Sequence, residues 1–278
     1  MSANIENTNR SSLFDCHLHS CFSSDSKAAP RDVIRTAAGK LSGICVTEHN
    51  DFDYPPEDGK TVFALDLDRY LNTYEALRPS LPENFTLLLG VEQGLQKSVA
   101  ERVNAYDPDG RLDFIIGSSH LVRGNDPYYP SFWEGRSVSD ALGEYFDSIL
   151  ENLFCCRNFD VYGHLDYITR YIPNRTAEFR LPDSCTDQID VILRKLIGLG
   201  KGIEVNTAGL RYGNEPNPAR NILSRYRELG GEILTIGSDA HRPEDIAYRF
   251  DECRELLLSC GFTYITIFKK RRPAFVRI

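Results

Sequence analysis

The 278-residue sequence lacks the features of several protein classes. No apolar run approaches the roughly 20 residues that a membrane-spanning helix needs, and the first residues, MSANIENTNRSS, contain no apolar signal segment. Basic residues are in the minority, because 32 Lys and Arg stand against 40 Asp and Glu and leave a formal net charge of −8. These absences predict a cytoplasmic protein that neither spans a membrane nor coats nucleic acid, while a local basic pocket stays possible.

The eight cysteines form no CxxC pair, and several lie in apolar segments such as GICVTEH and ECRELLLSC. A thiol in such a segment packs as a small hydrophobic group, so we predict that all eight are reduced. The chain also contains no P-loop and no GxSxG motif. A hydrophobic fraction of 41% is nevertheless ordinary for a folded globular protein.

Short apolar, β-branched segments alternate with helix-like segments along the chain. Seven of the apolar segments end in polar residues: SLFDCHLH, SGICVTEH, FTLLLGVEQG, LDFIIGSSH, FDVYGHLD, GIEVNT and EILTIGSDAH. This alternation indicates a parallel sheet covered by helices. Seven units favour a closed or nearly closed barrel, with an open doubly wound sheet as the alternative. A further helix near DIAYRFDECRELLLSC and a last strand, TYITIF, are predicted to complete the fold.

Every histidine lies at or just after the carboxyl end of a predicted strand, where parallel-sheet proteins build their active sites. Asp25, Glu92 and Asp239 lie at the same edge. Imidazole and carboxylate ligands together suit Zn²⁺, Fe²⁺ or Mn²⁺, and nine such ligands exceed what one ion can bind. We therefore predict two or three ions that share a bridging carboxylate. The six histidines are His17, His19, His49, His120, His164 and His241.

Six motifs in this order, DCHLHS, TEHND, GVEQG, SSHLV, GHLDY and GSDAH, resemble those of the polymerase-and-histidinol-phosphatase (PHP) superfamily of metal-dependent phosphoesterases. The resemblance extends from about Leu13 to Arg242. The segments HLDYITRY and EVNTAGLR are most similar to the stand-alone histidinol-phosphatase branch, which removes phosphate from L-histidinol phosphate in histidine biosynthesis. The resemblance implies a single-domain, distorted (β/α)₇ barrel with its active site at the carboxyl ends of the strands.

The same resemblance implies a role for each residue of the site. The first ion would be bound by His17, His19, Glu92 and Asp239, the second by Glu92, His120 and His164, and the third by Asp25, His49 and His241. Glu92 would bridge the first two ions, and Glu92, Asp239 and His241 would act in catalysis. The family sometimes has His at the position of Asp25, and TEHND departs from its more usual Asp-His pair, which leaves the role of Glu48 open.

Two arginines beyond the strand ends, Arg170 and Arg211, are predicted to bind the phosphate, because a planar guanidinium matches phosphate oxygens; ordinary surface arginines are the alternative. The segment LVRGNDPYYPSFWEGRS contains the single tryptophan, Trp133, and is predicted to form an aromatic wall or lid, or else a loop fixed by its own aromatic residues. The basic FKKRRP segment is expected to be a solvated chain end.

The sequence thus predicts a metal-dependent phosphomonoesterase, with histidinol-phosphatase as the leading interpretation. Two alternatives stay open: a PHP-type phosphoesterase that acts on nucleotides or nucleic-acid ends, and a metal-binding module without catalysis. The expected partner is a small phosphate monoester, without nucleic acid or membrane, and the oligomeric state is not predicted. Residues 1–11 are predicted to be a tail, and residues 12–278 the barrel domain.

Overall fold

The computed structural model describes residues 11–176 and 179–278, which contain nine strands and eight α-helices. The predicted tail lies outside the described residues except for Ser11, where the first strand begins. The strands are β1 (Ser11–Asp15), β2 (Leu41–Asn50), β3 (Thr86–Gly94), β4 (Phe114–Ser118), β5 (Val161–Tyr162), β6 (Gly202–Asn206), β7 (Leu234–Gly237), β8 (Tyr264–Lys269) and β9 (Arg272–Arg277). The helices are α1 (Pro30–Ala38), α2 (Leu67–Glu75), α3 (Ala100–Asn104), α4 (Pro130–Trp133), α5 (Val138–Cys155), α6 (Asp183–Gly198), α7 (Arg220–Glu228) and α8 (Phe250–Ser259).

Strands β1 to β7 form one parallel sheet in sequence order. The sheet closes where the segment after β1 meets β7 and the residues that follow it. The Cys16 amide donates to the Ile236 carbonyl at 2.9 Å, and the Asp239 amide donates to the His17 carbonyl at 2.8 Å. Closure confirms the predicted seven-stranded barrel, and the open doubly wound alternative is wrong. The first and last strands thereby meet at two of the predicted metal ligands.

The outer helices cover the barrel with their apolar faces. Helix α6 buries Ile189, Ile192, Leu193 and Leu196, which recur at the spacing of one helical face. Helix α5 begins after Ser137, whose hydroxyl accepts from the Asp140 amide at 3.1 Å. This packing leaves the strand ends on one side of the barrel free to carry polar side chains.

The opposite end of the barrel is covered by the β8–β9 hairpin. Phe268 stacks on Phe114 inside the barrel with ring centroids 5.0 Å apart. The predicted strand TYITIF is confirmed as β8, although it pairs with β9 outside the seven-stranded sheet. FKKRRP is largely exposed, as expected, but it is not a loose chain end: the segment turns between the two strands, and the Arg271 Nε donates to the Asp160 carboxylate at 2.5 Å.

All eight cysteines are free, as predicted, and five of them are buried. Within residues 11–176 and 179–278, no helix combines the length and the apolar character required to cross a membrane.

Candidate metal centre

All nine predicted ligands gather at the carboxyl ends of the barrel strands, around a cavity of about 640 Å³. Seven of them line this cavity, and His17 and His19 lie beneath it, fully buried. The strand register explains part of the arrangement, because His49 on β2 is the direct neighbour of Glu92 on β3. The motifs lie at the ends of different strands, and closure of the barrel brings them together.

Four ligands form what we call the buried group: His17, His19, Glu92 and Asp239. The His17 Nε2 lies 3.2 Å from the His19 Nε2 and 3.0 Å from the Glu92 Oε2. The Asp239 Oδ1 is 3.6 Å from His17 and 3.5 Å from His19. Bonds of about 2 Å to a tetrahedral zinc ion separate its ligand atoms by about 3.3 Å. The four donor atoms therefore have the spacing of one coordination shell.

Glu92 faces two sets of histidines with its two carboxylate oxygens. Its Oε1 lies 3.0 Å from the His120 Nε2 and 2.9 Å from the His164 Nε2. Its Oε2 faces His17, and it also lies 3.1 Å from the His49 Nδ1, a contact that the sequence did not predict. A carboxylate directed in this way can bridge two ions.

The remaining three ligands form what we call the rim group: Asp25, His49 and His241. The Asp25 Oδ2 lies 2.9 Å from the His241 Nε2 and 3.6 Å from the His49 Nε2. The ring of His19 stacks with those of His49 and His241, with centroids 4.3 and 4.2 Å away, and the centroids of these two rings are 5.8 Å apart. The rim group is thus continuous with the buried group and opens to solvent, since the Asp25 side chain is 40% exposed.

Two buried carboxylates that the sequence analysis missed hold the outer nitrogens of the histidines. The Glu204 Oε1 lies 2.5 Å from the His17 Nδ1, and the Asp51 Oδ1 lies 2.7 Å from the His120 Nδ1. A carboxylate on the second nitrogen fixes the tautomer and orientation of a metal-binding imidazole. The sequence did contain a signal for both residues. Asp51 is the last residue of the TEHND motif, and Glu204 is two residues before Asn206, so that both side chains lie on the same face of their strand.

The two predicted phosphate-binding arginines both line the cavity but differ in how they are held. Arg170 is nearly buried, and it donates to the Asn217 Oδ1 at 2.7 Å, the Asn206 Oδ1 at 3.0 Å and the Asp239 Oδ2 at 3.4 Å. Arg211 is one-third exposed and pairs with the Asp245 Oδ1 at 2.8 Å. Arg170 therefore touches the buried group directly, while Arg211 lies at the cavity entrance.

The aromatic segment after β4 divides between the cavity and the core. Tyr128 and Tyr129 are exposed and line the cavity, whereas Phe132 and Trp133 are buried in the hydrophobic core. Tyr128 and Tyr129 thus fit the prediction of an aromatic wall, and Phe132 and Trp133 fit that of a loop fixed by its own aromatic residues. Asp126, at the base of the segment, accepts from the Tyr54 hydroxyl at 2.6 Å and so joins the segment to the loop after β2.

The residues fit a cluster of divalent cations. Within the described ranges, the His49 Nδ1, the Glu92 Oε2 and the His241 Nε2 are buried and have polar neighbours at 2.9–3.1 Å, but none of these contacts has the geometry of a hydrogen bond. Burial, together with the neighbouring His241 and His49, lowers the pKa of His19 to about 3, which keeps its imidazole neutral and able to bind a metal. Burial opposes a charge on His120, but Asp51 and Glu92 outweigh it and raise its pKa to about 10. Negative charge therefore dominates the site and favours a cation.

A family model described as PHP domain matches residues 15–208. The chain belongs to the PHP domain family. It is 32% identical over 259 residues to a protein of Clostridium acetobutylicum named "Probable histidinol-phosphatase", an alignment that covers 93% of this chain and 98% of that protein. A Lactococcus lactis protein named "Histidinol-phosphatase" is 29% identical over 259 residues, which span 91% of this chain and 93% of that protein.

Solved structures agree with this membership. The chain resembles the crystal structure of histidinol phosphate phosphatase from Lactococcus lactis, complexed with zinc, L-histidinol and phosphate, with a TM-score of 0.85 and 27% identity. That likeness covers 95% of this chain and 99% of the other. These findings confirm the predicted family, its histidinol-phosphatase branch and the barrel fold.

Proposed function

We propose that this chain is a metal-dependent phosphomonoesterase that hydrolyses L-histidinol phosphate to L-histidinol and phosphate, a step of histidine biosynthesis. One observation carries the proposal: Glu92 directs one oxygen to His17 and the other to His120 and His164, at the floor of a cavity that also contains Arg170 and Arg211. The site thus combines a bridging carboxylate with groups that can bind phosphate.

We assign one ion to the buried group, one to the rim group, and one to the side of Glu92 that faces His120 and His164. His17, His19, Glu92 and Asp239 would hold one ion, Glu92, His120 and His164 a second, and Asp25, His49 and His241 a third. The ions would be zinc, iron or manganese, since the donors are imidazole nitrogens and carboxylate oxygens. When bound, such ions neutralise phosphoryl oxygens and lower the pKa of a coordinated water.

The chain's own residues position the substrate. Arg170 uses three N–H groups on Asn217, Asn206 and Asp239, and a guanidinium has five, so two remain for phosphate oxygens. The Arg211 guanidinium offers further N–H donors to the phosphate from the cavity entrance. Glu92, Asp239 and His241 line the same cavity as these arginines, and we propose that they act at the reacting phosphate.

The cavity also has a side that suits the other end of L-histidinol phosphate. The arginines follow β5 and β6, whereas Glu57 and Asp126, which also line the cavity, lie in the loops after β2 and β4. Tyr54 and Tyr129 bind these two carboxylates, at 2.6 Å to Asp126 and 2.8 Å to Glu57. Carboxylates and tyrosine rings suit the ammonium and imidazole groups of the substrate.

The two alternatives are less well supported. A nucleotide or nucleic-acid end would bring further phosphates to the side where Glu57 and Asp126 concentrate negative charge. A module without catalysis would be free to lose ligands, yet all nine are present and converge. We also propose a cytoplasmic location, with no nucleic acid or membrane as partner.

The test is phosphate release by the purified protein loaded with zinc, iron or manganese. We expect L-histidinol phosphate to be hydrolysed with a kcat/KM well above that for nucleoside monophosphates. A preference for nucleotides would replace the proposed substrate. Absence of hydrolysis with every metal, in protein that binds two or three ions per chain, would favour the non-catalytic module.

A further inference from the structure

Glu48 is a fully buried carboxylate that is not among the predicted metal ligands. It lies on β2, directly before His49, and its hydrogen bonds within residues 11–176 and 179–278 are all with two serines of the segment after β1. Its Oε1 accepts from the Ser20 hydroxyl at 2.5 Å, its Oε2 accepts from the Ser23 hydroxyl at 2.6 Å, and the Ser20 amide donates to both oxygens at 3.0 Å. Donors therefore surround this carboxylate, as an ionised group requires.

The Ser23 hydroxyl connects Glu48 to the buried group. Its Oγ is 2.6 Å from the Glu48 Oε2, 3.0 Å from the His49 amide and 3.0 Å from the His19 Nδ1. A hydroxyl has one proton to donate, and the amide can only donate. The proton of Ser23 therefore goes either to Glu48 or to His19.

The short contact with Glu48 decides between these two acceptors. An O–H donor bound to a carboxylate typically lies 2.5–2.7 Å from it, which is shorter and stronger than a neutral hydrogen bond. When the Ser23 hydroxyl donates its hydrogen bond to Glu48, its oxygen can only accept a hydrogen bond from the His19 Nδ1. His19 must then carry its proton on Nδ1, which leaves the lone pair of Nε2 directed at the other donors of the buried group.

We propose that Glu48, acting through Ser23, is a positioning residue that holds His19 in the Nδ1-protonated tautomer and so provides the buried group with its second imidazole donor. The inference rests on the proposed metal-binding role of His19. It extends that role to a carboxylate without any contact to the metal, and it gives the Glu of TEHND a function.

The decisive variant is Glu48→Gln, which keeps the shape of the side chain but turns one oxygen into an N–H donor. The new side-chain NH₂ group then donates to the Ser23 oxygen, and the Ser23 hydroxyl turns to donate to the His19 Nδ1. The ring proton of His19 must in that case lie on Nε2, which cannot bind metal while it carries a proton. We expect the affinity for zinc at the tightest site to fall about 10- to 100-fold, the usual effect of losing such a partner. Competition with a chromophoric chelator measures this affinity.

The tautomer itself is read by NMR of protein labelled with ¹⁵N in histidine, both metal-free and loaded with zinc. His19 is assigned by comparison with His19→Asn. In the unaltered protein the ring proton of His19 should lie on Nδ1, and in Glu48→Gln it should move to Nε2 in the metal-free form. A ring proton on Nε2 in the unaltered protein would overturn the proposal, as would an unchanged tautomer and affinity in the variant.

Two serine variants give a matched pair that does not depend on Glu48→Gln folding. Ser23→Ala removes the acceptor of His19, whereas Ser20→Ala removes an equally short bond to Glu48 without touching His19. We expect weakened zinc binding for Ser23→Ala alone, and equal losses in both variants would contradict the relay. If the unaltered protein binds no zinc, the proposed metal centre itself fails, a result distinct from failure of the relay.

Discussion

The buried group and the rim group are built from the same residue types, but they differ in how firmly the protein holds them. His17 and His19 have fully buried side chains, whereas the His241 side chain is 28% exposed and that of Asp25 is 40% exposed. Each buried imidazole also has a partner on its outer nitrogen, Glu204 for His17 and Ser23 for His19.

The rim group has weaker support. The His241 Nδ1 lies 3.0 Å from the Asp239 carbonyl and 3.8 Å from the Asp239 Oδ1. The His49 Nδ1 lies 3.1 Å from Glu92, itself a predicted ligand, so neither imidazole has a separate carboxylate as close as the 2.5 Å between His17 and Glu204. Ligand side chains that are already fixed in place lose less conformational freedom when a metal ion binds. The same residue types therefore bind a metal more tightly where hydrogen bonds hold them in position. The comparison therefore suggests a permanent metal site in the barrel floor and a more exchangeable one at its rim.

The largest expected effect comes from removing Glu92, the residue that the first two proposed metal sites share. Glu92→Ala should abolish phosphatase activity and lower the metal content by more than one ion per chain, because one carboxylate serves two ions. Asp25→Ala, the matched change in the rim group, should cost at most one ion. Elemental analysis of protein never exposed to chelator measures both, and equal losses would show that Glu92 does not bridge.

The next effect separates the two arginines. Removing one partner of a buried charge pair costs about 2–5 kcal/mol, and solvent reduces this cost for a partly exposed pair. Arg170 contacts Asp239 of the buried group, whereas the partly exposed Arg211 contacts Asp245 at the entrance. We expect Arg170→Ala to lie at the upper end of this range in kcat/KM and Arg211→Ala near its lower end.

Both arginine variants should keep their metal and bind inorganic phosphate more weakly, which product inhibition measures. Lysine replaces the charge without the fork, so Arg170→Lys should recover only part of the loss. Unchanged kinetics in both alanine variants would show that the phosphate is bound elsewhere.

Gradual removal of metal tests the comparison without mutation. Titration of the fully loaded protein with a chelator should release one ion at a concentration at least about tenfold lower than the others, as expected for a site without ordered partners. Asp25→Ala should abolish this early phase, whereas Ser118→Ala, which removes a 2.7 Å bond to the Glu92 Oε1, should leave it in place. Simultaneous release of all ions would contradict the division into two groups.

The sequence predicted which residues converge at the strand ends better than it predicted the residues that support them, for a physical reason. A histidine at the end of a strand is visible locally, whereas the pairing of Glu204 with His17 arises only when the strand ends meet in the closed barrel. The hairpin at the other end was missed because Lys270 and Arg271 occupy its turn with φ of 49° and 62°. Glycine or asparagine usually occupies such positions, so the turn left no sequence signal.

The smallest expected effect concerns Asp126, which contacts neither arginine and is not among the predicted ligands. Asp126→Asn keeps an oxygen for the Tyr128 amide, and its NH₂ group can donate to the Tyr54 hydroxyl oxygen, but the change removes the negative charge that we assign to the cationic end of the substrate. A hydrogen bond to a charged group contributes about 1.5–3 kcal/mol, so the KM for L-histidinol phosphate should rise at least about tenfold. The kcat/KM for glycerol phosphate, which has no cationic group, should stay unchanged. Tyr54→Phe is the matched control, because it removes the same bond and leaves the charge in place. Equal losses on both substrates would show that Asp126 supports the loops and does not recognise the substrate.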